Sequence, residues 1–201
     1  MGIPLLWNNL LLPNLRLNLR GRTAANATFA SAYALAFHGA PHWFSARGLR
    51  IGLICAGATT AGYAAILAIP ALRAKLVELA DHDPEVSPAE WAAIHIPIGT
   101  AYSEELVFRG TLEPFLDNAF GSRRGAVLAA LTFGLWHIHP ARAAGDSVPG
   151  TIALTTLGGL TFGWLRRRSG SATAPFLLHW ALNADGVIAP RLARRPVGPA
   201  Q

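Results

Sequence analysis

Residues 91–112 are uncharged except at Glu104, Glu105 and Arg109. A pair of neighbouring carboxylates in so apolar a run restricts what the chain can become, because burying a charge is costly unless it is paired or given a task. If the run lies at membrane depth, the default expectation for such groups is a functional site facing a cavity or a partner.

Composition favours that depth. The chain of 201 residues is 52% hydrophobic and 14% charged, with a mean hydropathy of +0.33, whereas soluble domains carry about a quarter charged residues. The net charge of +6 comes from arginines in small clusters, at Arg47 and Arg50, Arg123 and Arg124, and Arg166 to Arg168. Clusters at the borders of apolar runs read as membrane flanks rather than a nucleic-acid stripe, so no nucleic-acid partner is expected. Cys55 is the single cysteine, which excludes an internal disulfide framework and a C-x-x-C motif.

The expected fold is all-α: a polytopic membrane helix bundle of about six transmembrane helices in one domain, residues 23–190, with its catalytic core at 88–190. Residues 1–22 read as an amphipathic segment on the membrane surface, and 191–201 as a basic disordered tail. Spans are expected at 24–44, 51–72, 88–120, 125–139, 150–165 and 172–190, near the ~20 residues that cross a hydrocarbon core. Gly52, Gly57 and Gly62 recur in the second at small-residue spacing, which suits close helix packing. The acidic stretch 73–88 reads as a solvated loop, where a metal role for His82 with Asp81 and Asp83 matches no calcium-loop spacing. Ser87, Pro88 and Glu90 form a helix start, Gly121 ends that helix, and Pro97 and Pro114 are expected to kink it. Asn26-Ala27-Thr28 matches a glycosylation sequon but opens an apolar run, which makes it a chance match.

Polar residues inside the later spans form three pairs four apart: Glu105 with Arg109, Phe133 with His137, and His179 with Asn183. Each pair shares a helix face. Glu104 lies 17 positions before Gly121 and His137 lies 16 after it, so at ~1.5 Å per residue both sit roughly 25 Å from that turn in an antiparallel hairpin. The sixth span starts on the turn's side, which puts His179 and Asn183 within reach of the same layer. Three motifs converge on one level.

In this order and spacing, the motifs Glu104-Glu105-Leu106-Val107-Phe108-Arg109-Gly110, Phe133-Gly134-Leu135-Trp136-His137 and the stretch from Arg168 to His179 and Asn183 resemble the CAAX-processing and bacteriocin-processing (CPBP, or Abi) intramembrane endopeptidases, which include the type II CAAX prenyl endopeptidases. The resemblance covers about half the chain. It implies that Glu104 and His137 activate a water, that His179 and Asn183 stabilise the oxyanion, and that Glu105, Arg109 and Phe133 support them. Its implied partners are a membrane-associated or lipidated peptide or protein substrate and the lipid bilayer, with no cofactor. The alternative of a two-His, one-Glu zinc site is disfavoured because Asn183 is a poor zinc ligand and no H-E-x-x-H helix is present.

Two other functions compete: a bacteriocin-immunity or membrane-scaffold protein of the same fold, and an ion- or proton-coupled transporter using the intramembrane carboxylates. Peptide cleavage separates the first reading from both, and proton-coupled flux identifies the last.

Overall fold

The structure is a computed structural model that describes residues 1–78 and 85–194. Among these residues every regular element is helical. We number nine helices: α1 over 2–14, α2 Leu19–Ala36, α3 Ala46–Ala68, α4 Pro70–Glu78, α5 over 88–120, α6 Ser122–Trp136, α7 Ile138–Ala144, α8 Val148–Ser169 and α9 Thr173–Ala193. His82 and its neighbouring aspartates lie outside the described residues, as do 195–201 of the expected tail. Arg191, also placed in that tail, lies within α9, its guanidinium 6.0 Å from the Trp91 ring.

Helix α5 is the axis on which the others are arranged. Ser87 caps it, accepting a hydrogen bond from the Glu90 N–H, and it stops at Gly121, whose φ of +79° suits glycine. In place of two simple proline kinks, the helix widens into π turns over Trp91–Tyr102, around Pro97, and over Phe108–Leu112, just before Pro114. Pro97 has no N–H to give to the helical ladder. The Ser103 and Thr111 hydroxyls donate to carbonyls five residues back, Ile98 and Leu106, each at 2.8 Å. One α-helical stretch, Ser103–Val107, separates the two widened segments and carries both glutamates.

Around this axis α2 packs on the first half of α5, α6 folds back along its last turns, α8 lies on α6, and α9 lies between α3, α5 and α8. The core is aromatic: Phe108, Phe133, Trp136 and Phe162 meet edge to face. Of the four glycines in α3, Gly48 and Gly52 pack tightly, with Ser171 and with Leu177 and Ala174 where a Cβ would go, while Gly57 and Gly62 face open space. Close approach is therefore confined to one end of that helix.

Several expected boundaries move. The first span begins at Leu19 and ends at Ala36, because 37–45 turns away from helix with His38 and His42 at positive φ. The fourth ends at Trp136 and restarts as α7 through Pro140, a position within its first turn where proline is tolerated. At 15 residues, α6 is about 22 Å long, short of a ~30 Å hydrocarbon core. Two helices, α3 and α8, are long and apolar enough to cross a membrane; the count of six spans exceeds what length and hydropathy support.

The N-terminal segment is joined to the bundle. Asn8 and Asn9 donate to the carbonyls of Trp136 and Leu135 at the end of α6, and the His139 N–H donates back to Asn9. Asn26, of the sequon, is likewise engaged, accepting from Trp7 and donating to the Gly99 carbonyl. The distribution of polarity is inverted relative to a soluble domain: Glu104, Glu105, Arg109, Glu113, His95 and His179 are buried, while Leu154, Leu157 and Trp164 are 60–71% exposed.

Candidate active site

Glu104 and Glu105 are adjacent, so their side chains diverge by about 100° around α5, and each has a different set of partners. Glu105 is fully buried. Its Oε1 accepts from His179 Nδ1 at 2.9 Å, and its Oε2 lies 3.4 Å from Arg109 Nε. Glu105 and Arg109, on one helix face, form an ion pair, but the shorter contact is the one to His179. Arg109 donates to the Gly159 carbonyl and lies over the rings of Phe133 and Phe162, at 4.3 and 5.1 Å. Phe133 thus forms the floor beneath the guanidinium and meets the edge of the His137 ring.

Glu104 is held by one oxygen and open at the other. Its Oε1 accepts from Trp136 Nε1 at 3.1 Å. Its Oε2 is buried with no hydrogen-bond partner and lies 3.8 Å from His179 Nε2 and 4.0 Å from His137 Nε2. Hydrogen bonding on the far side of each ring sets what those nitrogens carry. His137 Nδ1 faces the Phe133 carbonyl at 2.8 Å, and a carbonyl only accepts, so Nδ1 carries a proton and the tautomer this selects presents the Nε2 lone pair inward. His179 Nδ1 likewise gives its proton to Glu105, and its ring is stacked on Phe162.

The structure therefore brings together Glu104, Glu105, Arg109, Phe133, His137 and His179. Asn183 stands one turn beyond His179 and uses one amide N–H on the His179 carbonyl, leaving its second N–H and its Oδ1. Asp185, beside the third motif, instead accepts from Thr60. Glu104, His137 and His179 do not close into a metal-holding group, and no such group occurs among the described residues.

Sequence reasoning missed Trp136 and Arg166. Trp136 precedes His137 in the motif, and its indole fixes the Glu104 carboxylate; an aromatic with an N–H beside a motif histidine was the available signal. Arg166 donates through Nε to the Arg109 carbonyl at 2.9 Å, from a cluster that composition assigns to a membrane flank.

A family model described as type II CAAX prenyl endopeptidase, Rce1-like, matches residues 87–184, which contain every residue of the site. No curated protein and no solved structure matches the chain. Through that segment of 98 residues the chain is similar to the Rce1-like type II CAAX prenyl endopeptidases, a family of peptide hydrolases.

Proposed function

We propose that the chain is a multi-pass intramembrane endopeptidase that uses Glu104 and His137 to activate water against a peptide bond of a membrane-associated, lipidated protein. The observation that carries this reading is the unpartnered Glu104 Oε2 set 4.0 Å from the inward lone pair of His137. Two hydrogen bonds of about 2.8 Å meeting near a right angle span ~4 Å, so one water fits between these acceptors. It would give a hydrogen to each, leaving its oxygen lone pair for the substrate carbonyl carbon.

In hydrolysis the water oxygen forms the new C–O bond and a proton passes to Glu104. The carbonyl oxygen gathers negative charge, and the C–N bond breaks as Glu104 returns the proton to the leaving amine. His179 donates Nδ1–H to Glu105, and the opposite nitrogen, Nε2, is the one that faces the oxyanion. The free Asn183 N–H is the second donor, one turn along the same helix. Glu105 positions His179, Arg109 anchors Glu105 on its aromatic floor, and Trp136 holds the base.

The exposed apolar faces of α3 and α8 support a membrane setting, and the buried polar interior supports hydrolysis within it. The test is cleavage of membrane-tethered peptides, prenylated and unmodified, by detergent-purified protein, its Glu104→Gln variant and its His137→Ala variant. Cleavage by the wild type alone is expected. Near-normal cleavage by a monodisperse Glu104→Gln protein would falsify the mechanism.

A further inference from the structure

A cavity of about 330 Å³ lies between α1, α2, α5 and α7, lined among others by Leu12, Thr23, Asn26, His95, Thr100 and Pro140. That volume far exceeds the ~10–15 Å³ a single water needs, and the lining offers polar partners. Three of its walls lead to the site by one helical turn. On α5 Glu104 is four residues beyond Thr100; His137, the cap of α7, is three before Pro140; and on α1 Asn8, four before Leu12, is bonded to the Trp136 carbonyl. The cavity and the site thus share α5, and the α1 and α7 walls adjoin the Trp136–His137 junction.

Its outer wall is charged and exposed. Arg22 lines it and pairs with Glu85, and buried His95 links Thr23 to Glu90, which Arg20 also holds. The 37–45 segment is tied to α5 and to the turn before α9. There Ala40 donates to the Gly110 carbonyl, Ala172 donates to the Pro41 carbonyl, and Ser171 donates to the His42 carbonyl. Phe108, Phe133 and Phe162 wall the site within the bundle.

We infer that this cavity is a hydrated vestibule through which water reaches Glu104 and His137 from the end of the bundle that carries Arg20, Arg22, Glu85 and Glu90. The inference rests on the peptidase reading for the use of that water, but not for its presence. Thr23, Asn26, His95 and Thr100 stand outside the three motifs and set polar atoms on this cavity within an apolar helix bundle. A peptide bond cannot be hydrolysed in a site that receives no water.

The test is thiol accessibility in lipid nanodiscs, in a Cys55→Ser background without other cysteines. Thr100→Cys and Leu12→Cys report on two walls, and Ile98→Cys, on an exposed apolar position of α5, is the control. A small water-soluble thiosulfonate reacts with the thiolate, which forms where water is present, so both cavity variants should be modified about tenfold or more faster than the control. Modified Thr100→Cys should then lose most of the cleavage seen in the same unmodified variant, while modified Ile98→Cys keeps it. If both cavity variants label no faster than the control, the vestibule is wrong, whether or not peptides are cleaved. If they label rapidly and no variant, nor the wild type, cleaves any peptide, the vestibule stands and the peptidase reading fails. Rapid labelling at Thr100 with cleavage untouched would overturn the water route.

Discussion

Helix α5 carries two buried carboxylate clusters nine residues apart, and they are built on opposite plans. At Glu113 the charge is closed: Arg167 Nη1 lies 2.6 Å from Glu113 Oε1, and Arg167 Nη2 lies 3.0 Å from Asp117 Oδ1. Gly163 brings α8 close enough for this, since a Cβ there would lie 3.0 Å from Glu113 Oε2. At Glu104 the nearest cationic or basic nitrogens stop at 3.8 and 4.0 Å from Oε2. Direct contact makes an internal latch between α5 and α8; a gap the size of a water makes a place for chemistry. Burial and charge are shared by both clusters, so neither by itself marks a site. The unfilled distance does.

The comparison predicts opposite failures. Glu104→Gln should lower kcat by about 10³- to 10⁴-fold, since the base is lost, with little change in the thermal midpoint. Asn183→Ala removes one of two oxyanion donors and should cost about 10²- to 10³-fold in kcat, leaving a slow, measurable enzyme. Arg167→Met should do the reverse. Leaving Glu113 buried without its cation should cost about 3–5 kcal/mol of stability, read in detergent by thermal unfolding, while the folded fraction keeps its specific activity. If Arg167→Met instead abolished cleavage at unchanged stability, the latch would belong to the site and the contrast would collapse.

The sequence made the convergence of Glu104, His137 and His179 legible because its logic is local counting. Four-residue spacings define faces, Gly121 defines a hairpin, and rise per residue converts position to depth. The helix start at Ser87 is legible for the same reason, as a cap acts within one turn. What counting cannot reach is a contact chosen by tertiary packing. The Trp136 indole meets Glu104 across 32 residues, Asn8 meets the Trp136 carbonyl across 128, and Arg167 meets Asp117 across 50. Arg166 and Arg167 were therefore indistinguishable from membrane flanks, although both turn inward. The widened turns of α5 were hidden for a related reason: Pro97 signals a disrupted ladder, but whether the helix bends or widens depends on what packs beside it.

The smallest expected effect lies at the mouth of the proposed vestibule. The Arg20 guanidinium, bonded to Glu90, and after it the His95 ring hold the Glu90 carboxyl below its ordinary value of 4.5. A carboxyl lowered in the folded state binds a proton less readily there than in the unfolded chain. Its contribution to stability is thus fully present above about pH 4.5 and is lost as pH falls through the lowered folded value. Because Glu90 is solvated, the contribution is that of a surface ion pair, at the low end of such interactions. Glu90→Gln should therefore be slightly less stable than the wild type at pH 7 and converge on it near pH 3, in unfolding measured on the same nanodisc preparation. A gap that persisted or widened in acid would show that Glu90 acts by packing, and that the Arg20–Glu90–His95 chain is not what orders the outer wall.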